Sequence, residues 1–259
     1  MTRTVLEARN LKKRFGAVVA ADDISITMAA GEVIGLIGAN GAGKTTFVNM
    51  VTGHLKPDAG QVVFEGSDVT ALAPRAMTRR GITRSFQVAQ LFPQLSSRDN
   101  ALIALASAET EQPALLGDLR IPDRIARADA LLARFGLADV ADRLTVELPQ
   151  GKRKLLDIAL AMVGEGRVLL LDEPTSGISA DEKFPLMDLV MEAIGGADAT
   201  ILFVEHDMEI VERYASRVIA FYEGRIIADG APAAVLADAA VRRHVVGAEI
   251  HRRHEGPRR

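Results

Sequence analysis

The chain has 259 residues, 48% hydrophobic and 25% charged, with a formal net charge of −3, which is the composition of an ordinary globular protein with one core and an inserted subdomain. The lack of cysteine excludes disulfides, thiolate metal sites and cysteine nucleophiles, and the charge gives no reason to expect nucleic acid. Because no apolar run of about 18 residues and no signal peptide is found, we expect a cytoplasmic protein.

The N-terminal part predicts antiparallel strands. Apolar and polar residues alternate over residues 5–11 and 18–28, which join at a turn around Gly16. A third strand, residues 61–65, follows a turn at residues 57–60.

The following segments predict a parallel sheet. Residues 33–37, 168–172 and 201–205 are short apolar runs, each followed by a polar or glycine-rich loop and a helical pattern. Ligand chemistry is expected where such strands end. Residues 91–164 are mostly helical in pattern, which predicts an inserted helical subdomain.

The C-terminal part predicts a hairpin, a helix and a basic tail. Residues 217–222 and 225–229 form the hairpin, and residues 232–237 the closing helix. We expect one domain over residues 1–241 and a tail over 242–259, which carries six arginines and three histidines. Contact of this tail with anionic lipid or a partner is an alternative to the solvated end that we favour.

A phosphate-binding loop is the strongest motif. Residues 38–45 match G-x-x-x-x-G-K-[ST], between the strand at 33–37 and a helical pattern at 46–51. Backbone N–H groups and the helix dipole bind phosphate in such a loop, Lys44 reaches the β- and γ-phosphates, and Thr45 binds Mg²⁺. These flanks disfavour a glycine-rich turn that binds nothing. The candidate nucleotide-binding residues are Gly38, Ala39, Asn40, Gly41, Ala42, Gly43, Lys44, Thr45 and Thr46.

Two carboxylates end another predicted strand. Asp172 and Glu173 follow the apolar run at 168–171, where charge costs free energy unless it has a use. Beside a phosphate loop, Asp172 is suited to hold Mg²⁺ and Glu173 to orient or deprotonate the attacking water. The fold class is therefore α/β, a P-loop NTPase core with a parallel sheet, an N-terminal antiparallel region and the helical insertion.

With these motifs the chain resembles the nucleotide-binding subunit of an ATP-binding-cassette (ABC) transporter, over about residues 5–235. The resemblance implies catalytic and Mg²⁺-sensing roles for Gln87, near the docking site of a membrane subunit. It implies a γ-phosphate contact for His206 and an adenine contact for Phe15. Singly these residues are weak signals, and their order around the two strong motifs supports the resemblance.

Two segments depart from the family pattern. The signature, L-S-G-G-Q in the family, is Leu148-Pro149-Gln150-Gly151-Lys152 here, so its serine hydroxyl is missing. Proline suits the first turn of a helix, and we expect Pro149, Gln150 and Gly151 still to face the nucleotide of a partner subunit. Ser179 stands where the family usually has aspartate, which puts communication between two sites in doubt.

The resemblance also implies partners. Two such subunits, of the same or different chains, enclose two ATP molecules, bind integral-membrane permease subunits at the inner face of the cell membrane, and serve a solute-binding protein indirectly. No nucleic acid is expected. Residues 81–87, 91–93 and 204–208, with the altered signature, are similar to the ATPases of branched-chain amino-acid importers.

Three alternatives stay open at the level of the sequence. An ATPase of a lipid or lipopolysaccharide exporter usually keeps the serine signature. A soluble cassette ATPase acting on ribosomes or DNA has a second cassette or a long coiled coil, for which 259 residues leave no room. A P-loop kinase lacks the set of glutamine, signature and histidine.

Overall fold

The computed structural model describes residues 3–85, 91–109, 119–164, 166–195 and 199–247. Its strands are β1 (Thr4–Phe15), β2 (Val18–Ala29), β3 (Val33–Gly38), β4 (Ala59–Phe64), β5 (Ser67–Asp68), β6 (Ile82–Ser85), β7 (Val168–Asp172), β8 (Thr200–Val204), β9 (Arg217–Tyr222) and β10 (Arg225–Gly230). Its α-helices are α1 (Lys44–Val51), α2 (Pro74–Arg80), α3 (Ser97–Glu109), α4 (Pro122–Arg134), α5 (Gln150–Ala161), α6 (Ala180–Gly195), α7 (Met208–Tyr214), α8 (Pro232–Ala237) and α9 (Ala239–Val241). The fold is α/β, as the sequence predicts.

The chain divides into two compact units. The first unit comprises Met1–Met77 and Thr200–Arg259, and the second comprises Thr78–Ala199. Each contains part of the set of predicted site residues.

An antiparallel sheet of order β2-β1-β4-β5 forms one part of the first unit. Alternate residues of β1 and β2, such as Leu6 and Ile26, are fully buried, which explains the alternation in the sequence. The prediction for β4 was shifted, because the strand begins within the expected turn, at Ala59. It ends before Glu65, whose φ of 46° leaves the extended region.

The predicted parallel arrangement is confirmed within the first unit. There β3 pairs in parallel with both β8 and β9, and β9 pairs with β10 as the predicted hairpin. Every residue of β8 is buried, as expected for a strand covered on both faces. At the carboxyl end of β3 the chain enters the phosphate loop and then α1, whose Phe47 and Val51 are fully buried.

The second unit combines a parallel strand pair with helices. Strands β6 and β7 pair in register from Ile82↔Val168 to Ser85↔Leu171, and all of β7 is buried. Ala101, Leu102 and Leu105 of α3 form a core cluster with Ala128 of α4. Helices α3, α4 and α5 fall within residues 91–164, but the boundaries of the helical subdomain stay a prediction.

The start of the predicted tail is ordered against the first unit. A π-helical turn, Arg242–Val246, continues from α9 across the predicted boundary at residue 241. Val241 and Val245 are fully buried one turn apart, and the His244 ring lies 4.3 Å from the ring of Tyr222 between centroids. Residues 248–259 lie outside the described residues, and the role of the tail stays a prediction.

Candidate nucleotide and catalytic site

The phosphate loop has a backbone that only glycine fits at two positions. Gly38 and Gly43 have φ values of 153° and 104°. A Cβ at Gly38 would lie 2.5 Å from the carbonyl oxygen of Phe221, and a Cβ at Gly43 would collide with the carbonyl oxygen of Ala20. Since L-residues disfavour these φ values as well, packing and backbone conformation both require glycine here.

Lys44 lies folded inside this loop. Its Nζ donates hydrogen bonds to the carbonyl oxygens of Gly38 at 2.5 Å and Ala39 at 3.1 Å, and the residue is 5% exposed. Thr45, the next residue of α1, is exposed, and Thr46 is half-buried. The loop therefore places an ammonium group, a helix N-terminus and a hydroxyl together, which is the chemistry expected for binding phosphate.

The turn of the β9–β10 hairpin is hydrogen-bonded to the phosphate loop. The Gly224 amide donates to the carbonyl of Ala42 at 2.9 Å, while the Gly224 carbonyl accepts from the Asp22 amide at 2.8 Å. A Cβ at Gly224 would lie 3.1 Å from the carbonyl oxygen of Val19. The turn thus joins the loop to the start of β2, a support that the loop pattern alone does not reveal.

The aromatic candidate lies at an exposed hairpin end. Phe15 closes β1 opposite Val18, and the two residues are 51% and 65% exposed. The Nζ of Lys13 lies 5.8 Å from the centroid of the Phe15 ring. An apolar face left in solvent on the unit that holds the phosphate loop is suited to stack on a nucleotide base.

His206 follows the buried strand β8. Its backbone N–H donates to the carboxylate of the preceding residue, Glu205, at 3.2 Å, and Glu205 is 4% exposed. Asp207 then caps α7 by accepting the Glu209 amide. The half-buried His206 therefore belongs to a fixed strand-to-helix turn in the same unit as the phosphate loop.

In the second unit, Asp172 is the buried last residue of β7. Its Oδ2 accepts from the guanidinium of Arg84 at 2.6 Å, and its backbone carbonyl accepts from Lys154 at 3.3 Å. Sequence reasoning missed both basic residues, although Arg84 is a charged residue within the otherwise uncharged strand β6.

Glu173 has an unusual backbone. Its φ of 48° lies in the left-handed region, which is uncommon for a residue other than glycine and occurs often at active sites. The half-buried carboxylate is thus held at a sharp turn directly after Asp172. The third catalytic candidate, Gln87, lies outside the described residues.

The altered signature begins helix α5. Pro149 is the N-cap residue, with extended backbone angles, and Gln150 and Gly151 form the first turn. Among the described residues, and apart from the backbone of α5 itself, no atom lies within 4 Å of the place where a Cβ on Gly151 would be. The Arg153 guanidinium bonds the carbonyls of Leu148 at 2.8 Å and Val146 at 2.6 Å, which fixes the segment before the helix.

Ser179 has a structural role that the sequence analysis missed. Its carbonyl accepts from the amides of Glu182 and Lys183 at the start of α6, and its hydroxyl donates to the Glu182 carboxylate at 2.8 Å. Serine followed by glutamate three residues later is a known signal of a helix N-terminus. Ser179 therefore fits here as a helix cap.

A family model described as ABC transporter matches residues 21–176, which include the phosphate loop, Asp172 and Glu173. The chain belongs to the ABC transporter family. The expected fold and resemblance are confirmed, and the chain is a nucleotide-binding ATPase of this family. The kinase alternative is excluded by the match.

Relatives and solved structures agree with this family. A high-affinity branched-chain amino acid transport ATP-binding protein, LivG of Escherichia coli strain K12, is 33% identical over 239 residues, 90% of this chain and 93% of the relative. A probable LivG of Methanocaldococcus jannaschii is 32% identical, covering 88% and 90%. A crystal structure of an ATP-binding cassette of an ABC transporter in its ADP conformation superposes with a TM-score of 0.84 at 30% identity, covering 96% of this chain and 99% of that one.

Across the described residues, no helix is long and apolar enough to cross a membrane. The same part of the chain contains no group of three or more His, Cys, Asp or Glu side chains that could hold a metal.

Proposed function

We propose that this ATPase powers the uptake of branched-chain or related amino acids, as one of two cassettes attached to permease subunits. The assignment of the transported solute rests on the similarity, over nine-tenths of the chain, to ATP-binding proteins of branched-chain amino acid transport. Import is favoured over lipid export for the same reason, and a solute-binding protein is expected outside the membrane. We place the chain at the inner face of the cell membrane and expect it to bind no nucleic acid.

ATP binding is assigned to the first unit. The amides of residues 38–46 and the ammonium of Lys44 surround the β- and γ-phosphates, which requires Lys44 to exchange its carbonyl partners for phosphate oxygens. Phe15 stacks against adenine, for which its exposed ring is suited.

Mg²⁺ binding is assigned to Asp172, Thr45 and Gln87. Their carboxylate, hydroxyl and amide oxygens are the hard donors that this ion prefers, and few protein ligands suffice beside phosphates and water. When bound, Mg²⁺ neutralises charge developing on the phosphates. Asp172 is buried and pairs with the guanidinium of Arg84, so its carboxylate is held in a fixed place for this purpose.

Hydrolysis is assigned to Glu173 and His206. Glu173 orients and deprotonates the attacking water, and its constrained backbone limits where the carboxylate can go. His206 donates a hydrogen bond to the γ-phosphate, where negative charge must be stabilised during transfer. Gln87 connects this chemistry to the permease.

A second cassette, identical or different, completes the site. The helix start with Pro149, Gln150 and Gly151 is accessible, and the space at Gly151 admits close approach of a phosphate. Backbone amides at this helix start replace the missing serine hydroxyl of the signature.

Uptake in the host cell tests the cargo. Deleting the chain should abolish ATP-dependent uptake of a branched-chain or related amino acid, and the wild type should restore it while Lys44→Ala does not. Normal uptake of every amino acid tested, together with loss of an envelope lipid, would instead assign the chain to an exporter.

A further inference from the structure

A buried arginine lies one step away from the proposed Mg²⁺ ligand. Strands β6 and β7 pair in parallel with Arg84 opposite Leu170, so Arg84 and Asp172 lie on the same face as diagonal neighbours. A long side chain spans this diagonal, and the Arg84 guanidinium reaches Oδ2 of Asp172 at 2.6 Å. Both side chains are 8% exposed.

The arrangement fixes Asp172 from two directions. Arg84 bonds one carboxylate oxygen, and Lys154 of helix α5 donates to the backbone carbonyl of the same residue. A buried carboxylate without a cation would be strongly destabilised in its charged form. Arg84 supplies this charge and also restricts rotation of the carboxylate.

We propose that Arg84 is a positioning residue for the ATPase reaction, which holds Oδ2 of Asp172 so that Oδ1 is presented to the hydration shell of Mg²⁺. The inference rests on the proposed role of Asp172. Residues that hydrogen-bond a metal-binding carboxylate orient it, and their loss weakens metal binding. Nucleotide binding without Mg²⁺ depends on the first unit and does not require Arg84.

The test measures Mg²⁺ dependence by calorimetry, in a Glu173→Gln background so that ATP is not consumed. ATP affinity is measured over a range of Mg²⁺ concentrations. For Arg84→Met, the Mg²⁺ concentration giving half of the affinity gain should rise about tenfold or more. ATP affinity without Mg²⁺ should not change. Arg84→Lys, which retains the cation, should recover most of the loss.

A matched control separates positioning from stability. Arg124, in the same unit, pairs with Glu109 at 2.8 Å and is also largely buried. Arg124→Met should lower the melting temperature while leaving the Mg²⁺ requirement unchanged. If Arg84→Met does not fold, Arg84→Gln retains N–H donors without the charge and should show a larger Mg²⁺ requirement than Arg84→Lys.

Two results would overturn the inference. A wild-type Mg²⁺ requirement in Arg84→Met or Arg84→Gln would make the arginine purely structural, and a lower requirement would make it a competitor of the metal. Asp172→Asn in the same assay tests the underlying role separately. If Asp172→Asn leaves the Mg²⁺ requirement unchanged, the proposed function of Asp172 fails. If Asp172→Asn raises the Mg²⁺ requirement but the Arg84 variants leave it unchanged, the positioning role of Arg84 fails.

Discussion

The phosphate loop and the altered signature, residues 148–152, both contain glycine, but for opposite structural reasons. In the loop, a Cβ on Gly38 or Gly43 would meet a backbone carbonyl of this chain. At Gly151 the backbone is helical, and outside that helix no atom of the described part of the chain lies within 4 Å of a Cβ. The loop glycines are thus required by the chain itself, whereas the chain alone does not require Gly151.

This difference indicates where a second molecule acts. A glycine in open space at an accessible helix start leaves room for something to approach, and in our account it is the nucleotide of the partner cassette. Folding of the single chain should therefore be sensitive to change in the loop and insensitive to change at Gly151.

Glu173→Gln should have the largest effect on turnover. It also provides the ATP-bound state in which the loop and the signature can be compared. Loss of a general base lowers turnover by about 10²–10⁴-fold, while Mg-ATP binding through Lys44 and the loop amides is retained. The bound ATP should trap the paired cassettes, visible by size-exclusion chromatography with ATP and Mg²⁺. Turnover near wild type would remove Glu173 from catalysis.

Gly43→Ala should break the loop. The variant forces an L-residue to a φ of 104° and drives its Cβ into the Ala20 carbonyl. Strain of about 1–3 kcal/mol, if it falls on the bound state, corresponds to a loss of ATP affinity of roughly 5–150-fold, measured by calorimetry. Gly151→Ala is the matched control and should bind ATP as the wild type does; equal losses in both variants would contradict the comparison.

Much of this contrast follows from the sequence, because local patterns determine it. The phosphate loop, the β9–β10 hairpin and α8 lie where turn residues and apolar periodicity predict them. The supports of the site were not predictable, because they join residues far apart in the chain. Arg84 and Asp172 meet through the pairing of β6 with β7, and Gly224 and Ala42 meet through a hydrogen bond between a turn and a loop. Ser179 is a different case, because the sequence contains the signal for its role as a helix cap, a serine followed three residues later by Glu182. In the sequence analysis, only the aspartate that is missing at this position was considered.

Gly224→Ala should have an intermediate effect, since it disturbs the support rather than the loop. Its φ of 76° and close contacts predict destabilisation of about 1–2 kcal/mol. Gly66 is a matched control, because it also follows a glutamate and has a φ of 80°, but a Cβ there meets no atom of the described residues within 4 Å. Both alanine variants should lower the melting temperature, and Gly224→Ala should in addition weaken ATP binding.

Lys152→Gln, which restores the family residue in the signature, should have the smallest effect. The Lys152 ammonium bonds the exposed carboxylate of Asp139 at 2.8 Å and lowers the pKa of that carboxyl. A carboxyl whose pKa is lower in the folded than in the unfolded chain stabilises the fold at pH values above its unfolded pKa, about 4. This stabilisation disappears as the pH falls through the folded pKa. Urea midpoints of variant and wild type should differ slightly at neutral pH and converge in acid; a difference that grows in acid would contradict this assignment.

The most direct measurement compares Gly151→Asp with Gly151 intact, both in the Glu173→Gln background. The Cβ of an aspartate at residue 151 has open space among the described residues. In our account its carboxylate lies against the partner's γ-phosphate, where like charges cost several kcal/mol. We predict unchanged ATP affinity of the monomer by calorimetry and loss of the ATP-dependent pair in size-exclusion chromatography. If Gly151→Asp pairs to the same extent as the chain with Gly151, residues 148–152 do not complete the site of a second cassette.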